Sequence, residues 1–155
     1  MLTMTRQSRK TLCGITMYKV KEILLYIWQL PQNIVGLLLL LIYQHEKEYH
    51  RLKGRTFYFT TEMPSGISLG NYIIMNREDK EDGMKHEYGH TIQSRILGPF
   101  YLLIIGIPSG CGNLIDQYCH KGWPWAKQMK WYYNLPWEKW ADKLGHVKRV
   151  YDYAF

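Results

Sequence analysis

Residues 23–43, ILLYIWQLPQNIVGLLLLLIY, contain no charged side chain, and this run limits what the chain can fold into more than any other feature. Its length suits one bilayer crossing. Its centre does not, because Gln29-Leu30-Pro31-Gln32-Asn33 places polar side chains and a helix-breaking proline at mid-depth. Two arrangements accommodate it. One is a kinked transmembrane helix whose polar centre faces protein. The other is an amphipathic helix up to Leu30, a break, and a short apolar helix from Ile34 that dips into the membrane. Both predict association with a lipid bilayer rather than burial in a soluble core.

A second uncharged block, residues 98–115, reads GPFYLLIIGIPSGCGNLI. Its glycines and prolines argue against a straight spanning helix. A short re-entrant or interfacial segment is expected, since irregular backbone at membrane depth must be covered by protein. Beyond it, Trp123, Trp125, Trp131, Trp137 and Trp140 alternate with Lys127, Lys130 and Lys139. Trp and Lys mixed in this way suit a membrane–water boundary.

The net charge of +7 fits anionic headgroups or nucleic acid. No nucleic-acid motif is present, and the apolar blocks favour a lipid surface, so no nucleic-acid partner is expected. With 155 residues there is room for one main domain. The chain divides into a basic segment 1–20, an apolar membrane-associated segment 21–43, and a domain 44–155 that includes the second apolar block. No signal-peptide cleavage site follows the first apolar run. Five bases (Arg6, Arg9, Lys10, Lys19, Lys21) against Glu22 precede that run, and four (Lys47, Arg51, Lys53, Arg55) against Glu46 and Glu48 follow it. This balance favours a cytoplasmic N-terminus. Cys13, Cys111 and Cys119 form no C-x-x-C pair and are expected as free thiols, which favours a reducing compartment for the catalytic part. The two inferences agree only if the chain returns to the side it left.

Local patterns define the remaining elements. Residues 44–55 read as a charged connector in which His45 and His50 are solvated. Residues 55–60 and 67–75 read as two strands around a Pro64-Ser65-Gly66 turn, forming a small antiparallel hairpin or edge. Asp79 and Asp82 supply helix-start chemistry for a helix over residues 84–97, stopped by Gly98-Pro99. A last helix starts near Pro136 and runs to Gly145. The fold class is therefore α+β.

The chemistry lies on two of these helices. His86-Glu87-Tyr88-Gly89-His90 puts two imidazoles on one helical face, four residues apart, where both can reach one metal ion. Glu87 is offset by one position, so its carboxylate reaches a water on the metal's open side without occupying a coordination place. Two neutral nitrogens, a Lewis acid and a general base are the parts of metal-assisted hydrolysis. Gly89 costs the helix about 1 kcal/mol against alanine, which points to something packed closely against that face. Glu138-Lys139-Trp140-Ala141-Asp142 supplies what the first motif lacks. Glu138 can complete a His-His-Glu ligand set for one zinc ion, and Asp142, one turn on, can accept a ligand histidine's other ring N–H. His120, His146 and several tyrosines are candidate donors to the oxyanion of a tetrahedral intermediate, and the sequence does not choose among them.

The pair H-E-Y-G-H and E-K-W-A-D resembles the H-E-x-x-H…E-x-x-A-D signature of gluzincin metallopeptidases. It is most similar to the integral-membrane branch that includes the CAAX prenyl proteases and the bacterial heat-shock membrane protease. The string HEYGHTIQSRILGPFYLLIIGIPS also resembles a group of small bacterial membrane proteins. The resemblance implies zinc held by His86, His90 and Glu138, with Glu87 as base and Asp142 behind a ligand histidine. It also implies a minimal zincin-like domain of motif helix, short antiparallel strands and second ligand helix. The expected function is a zinc metalloendopeptidase at a bacterial cytoplasmic membrane, acting on a peptide or membrane-protein substrate. The alternative is a non-catalytic membrane protein with a structural zinc, serving as a partner-binding module.

Overall fold

The computed structural model describes residues 6–43, 46–48, 55–63, 65–77 and 81–149, with side chains from residue 17 onward and outside 46–48. The connector histidines His45 and His50, Pro64, Asp79 and the end of the chain lie outside the described residues.

The first apolar run is two helices, α1 (Arg6–Trp28) and α2 (Leu30–Ile42), bent by 84° at Gln29. Pro31 sits in the first turn of α2, where a missing N–H leaves no helix bond unmade. The polar centre is turned inward, and Gln29, Gln32 and Asn33 are fully buried. Ser94 Oγ donates to Gln29 Oε1 at 2.8 Å, and Gln32 Nε2 donates to Ser94 Oγ and the Gly98 carbonyl, both at 2.9 Å. Asn33 Nδ2 donates to the Tyr26 carbonyl, while its Oδ1 accepts the Asn71 N–H at 2.8 Å. These bonds satisfy most of the buried amides, which would otherwise make the bend expensive.

Four strands follow, β1 (Glu46–Glu48), β2 (Phe57–Thr60), β3 (Ile67–Leu69) and β4 (Tyr72–Asn76), in the sheet order β1-β2-β4-β3. This corrects the simple antiparallel hairpin. Residues 67–75 are not one strand but a hairpin of β3 and β4, turned at Gly70 and Asn71, and β2 pairs with β4 in parallel. Gly70 has φ +65°, a left-handed conformation that L side chains rarely adopt. The Asn33 side chain bonded to Asn71 fixes the same turn from outside the sheet. The antiparallel pairs are β1 with β2 and β3 with β4.

Helix α3 (Glu81–Leu97) starts one turn earlier than the sequence suggests. Lys85 bridges Glu81 at 2.9 Å in that added turn, and Asp82 lies in it as well. Gly98 ends the helix at φ +55°, followed by a 3₁₀ turn (Gly98–Phe100), five π-helical residues (Leu102–Gly106) and α4 (Ile107–Cys119). The path from α3 into that second helical run bends by 119°. Helices α5 (Trp125–Tyr133) and α6 (Pro136–Gly145) are the last regular elements among the described residues. Among the described residues no single helix is long and apolar enough to cross a membrane. The result is a mostly helical α+β molecule with a small sheet.

Two apolar clusters position the motif helix. Phe57, Phe59, Ile73 and Met75 meet Met84, so the sheet packs on the start of α3. Leu69, Tyr101 and Ile105 gather Leu39, Leu97, Trp137 and Trp140 around them, joining α2, α4's approach and α6.

Candidate metal centre

Helices α3 and α6 run antiparallel and meet in four-residue steps. The Lys85 carbonyl faces Gly145, Gly89 faces the Ala141 carbonyl, and Gln93 Nε2 donates to the Trp137 carbonyl at 2.8 Å. A Cβ at Gly89 or Gly145 would fall on the backbone of the facing helix. The two glycines and Ala141, which is fully buried, let the backbones touch. That approach brings Glu138 across from both motif histidines.

The three side chains meet at one point. Glu138 Oε2 lies 3.0 Å from His86 Nε2 and 3.2 Å from His90 Nε2, and the two nitrogens are 3.1 Å apart. His86, His90 and Glu138 form a buried group that could hold one metal ion. An ion at about 2.1 Å from three tetrahedrally placed ligands separates them by roughly 3.4 Å. The observed triangle is close to that size.

Hydrogen bonding on the far side of each ring fixes what faces the centre. His86 Nδ1 lies 2.6 Å from Asp142 Oδ1, and His90 Nδ1 lies 2.7 Å from Gln93 Oε1. Gln93 uses its Nε2 on Trp137, so its oxygen is the atom presented to His90. A carboxylate and an amide oxygen both require an N–H from the ring, and each neutral imidazole then turns a lone pair inward. With both rings neutral, two nitrogen lone pairs and a carboxylate oxygen at about 3 Å would repel unless a cation, either a metal ion or a proton on His86, lies among them. Glu138 Oε1 and Glu87 Oε2 are also buried without a hydrogen-bond partner.

Electrostatics follow this arrangement. Burial alone lowers the His86 pKa, but the bonds to Asp142 and Glu138 outweigh it and raise the value to about 9. Burial raises the Glu138 pKa, and the two histidines overcome it, holding the carboxyl far below its usual range. Asp142 is lowered against burial by His86 and Arg149. The Arg149 guanidinium grips Asp142 at 2.7 and 2.9 Å and lies 3.2 Å over the Tyr133 ring. Tyr133 in turn sets its ring edgewise to His86, with centroids 5.1 Å apart.

Glu87 is buried, and Gly66 makes room for its carboxylate, since a Cβ there would come within 2.8 Å of Oε1. Ser68 Oγ donates to the Glu87 carbonyl at 2.8 Å, attaching β3 to the motif helix. The Ser68 carbonyl accepts the Tyr101 hydroxyl at 2.9 Å, so this point of edge strand β3 is already paired.

The structure thus brings His86, Glu87, His90, Glu138 and Asp142 together. It does not bring in His120 or His146, the two histidines expected as oxyanion donors. His120 pairs with Asp116 at 3.0 Å at the end of α4 and stacks on Trp123, and His146 is exposed where α6 ends, at φ 60°. Tyr132 and Tyr133 are closer to the chemistry, for both feel the charges of Glu87 and Glu138. Burial raises both phenols, Tyr133 to about 12, so each keeps its proton. Gln93, Arg149 and Tyr133 were missed as supports of the ligands. Gln93 had a signal, three residues after His90 on the same helical face. Arg149 lies beyond the last helix and had none. Compared with known protein families, with curated proteins and with solved structures, the chain matches none.

Proposed function

We propose that the chain is a membrane-associated zinc metallopeptidase. The observation that carries this reading is the convergence of two oriented imidazole lone pairs and the Glu138 carboxylate, with the unpaired carboxylate of Glu87 buried beside them. Two nitrogens and one carboxylate oxygen at this spacing favour zinc among the common metals. Zinc bound there would polarise a carbonyl and acidify a water. Glu87, held against Gly66, is placed to act as the general base that would take a proton from such a water and return it to a leaving amine. Asp142 and Gln93 keep the ligand rings in the right tautomer. A neutral phenol of Tyr132 or Tyr133 is better placed than His120 or His146 to donate to the oxyanion. The resemblance to gluzincins supports the same roles residue by residue, and the many exposed aliphatic side chains support the membrane setting.

Zinc content and hydrolysis test this together. Protein purified in detergent should carry about one zinc per chain, and His86→Ala or Glu138→Ala should lose it. Glu87→Gln should keep the zinc and lose activity by about 10²-fold or more. If wild-type protein carries zinc but cleaves nothing in a panel of peptides and membrane proteins, the zinc is structural. In that case the protein is a binding module.

A further inference from the structure

Helix α2 is built inside out. Its buried face carries Gln32, Asn33 and Gly36, with Leu40 the one aliphatic side chain among them. Its other face, Leu30, Ile34, Leu37, Leu38 and Leu41, is aliphatic and exposed, at the spacing of one helical stripe. The second apolar block repeats the pattern. Gly112 and Asp116 of α4 turn inward, while Leu103, Ile104, Ile107, Leu114 and Ile115 are exposed at successive turns. In water this polarity is the wrong way round, and both faces call for an apolar solvent.

The connections decide how that solvent is met. Where α2 begins, Gln32 is bonded to Ser94 and Gly98 of the motif helix. Soon after α2 ends, β1 pairs with β2 in the sheet that packs on α3. Both ends of α2 are therefore fastened to one hydrogen-bonded body. The helix has 13 residues, about 20 Å of rise against a hydrocarbon core of about 30 Å. The 84° bend turns α1 away from its axis, and the 119° bend sends the second block back from the end of α3. Lys19 and Lys21 on α1 and Lys127 and Trp125 on α5 are also exposed, and the sequence carries a net charge of +7.

We propose that the chain sits on one leaflet of an anionic bilayer without crossing it, the aliphatic faces of α2 and α4 sunk among acyl chains. This rests on the membrane setting given above and sharpens it. The N-terminus and the metal centre are on the same side, and the substrates reached are polypeptide segments at that one surface. The basic flanks and the free cysteines are then compatible with a single cytoplasmic location.

Two measurements on the full chain, tagged at both ends, test the seat. Flotation with phosphatidylcholine vesicles should improve at least about tenfold when phosphatidylglycerol is included, and the gain should fall with salt. In bacterial spheroplasts treated with protease, both tags should share one fate. One tag cut and the other protected means the chain crosses, which overturns the seat and leaves the membrane setting intact. No flotation with either vesicle removes the membrane setting and the seat together, and a stable dimer in its place assigns the faces to a second copy of the chain. A Leu37→Gln, Leu41→Gln variant should float at least about tenfold less well with unchanged zinc content. Flotation at the wild-type level would overturn the assignment of the α2 face.

Discussion

Without a metal, the hydrogen bonds from His86 to Asp142 and Glu138 favour a proton among His86, His90 and Glu138. With its pKa raised to about 9 against 6.5 for an unperturbed imidazole, His86 is charged at neutral pH and paired with Asp142 and Glu138. The sign follows from linkage. Stability from this pairing is fully present below about pH 6.5 and is lost as pH rises through about 9. Zinc needs the neutral ring, so below pH 9 it must displace the proton. Affinity should fall about tenfold for each unit of pH from 8.5 to 7, with close to one proton released per zinc bound. Competition with a chelator across that range, and calorimetry in buffers of different ionisation heat, measure both quantities. Asp142→Asn replaces the carboxylate whose hydrogen bond most raises the His86 pKa with a weaker, neutral acceptor, and should move the pH-dependent region lower. Affinity that is flat between pH 7 and 8.5 would show that His86 is already neutral. At this scale the sequence was readable wherever helical spacing does the work. Positions four apart gave the two histidines, and an E-x-x-x-D pair gave Glu138 and Asp142. Arg149 was not readable, because it reaches Asp142 from the irregular segment after α6 and only the fold sets that distance.

Between elements, the closeness of α3 and α6 is what turns five residues into a centre. Gly89→Ala would gain about 1 kcal/mol of helix propensity and lose more to the Ala141 backbone, which cannot move aside as a flexible side chain can. A net destabilisation of about 2 kcal/mol is expected, with loss of bound zinc, read by denaturant titration and metal analysis. Gly145→Ala, at the other end of the contact, should behave alike. Wild-type stability and zinc in both variants would mean that the helices are not in backbone contact. The role of Gly89 was visible beforehand, since a glycine inside a motif helix needs a packing reason. The limits of α6 were visible too, from Pro136 and Gly145. The sheet was misread. ISLGNYIIM looks like one strand because its apolar residues continue across Gly70 and Asn71, and a parallel pairing of β2 with β4 leaves no local trace.

For the whole molecule, a metal held by His86, His90 and Glu138 would join the two halves of the chain that the apolar block separates. α3 follows the sheet and α6 is the last helix among the described residues, so a metal bound by ligands from both would work as a clasp. Binding to the folded state alone stabilises it by about 2.7 kcal/mol when free zinc is 100-fold above its dissociation constant. For a chain of this size that corresponds to roughly 5–10 °C in the unfolding midpoint. A strong chelator should therefore lower the midpoint of detergent-purified protein by that amount, and added zinc should restore it. Glu138→Gln should start near the chelated value and respond little to either. Glu87→Gln should respond as wild type does, because Glu87 is not among the three residues grouped to hold the metal and its proposed role is on water. A Glu87→Gln protein that no longer responds would make Glu87 a ligand and leave the centre without its base. A wild-type midpoint that the chelator leaves unchanged would mean that packing alone holds α3 on α6, and that whatever metal the centre takes contributes to chemistry only.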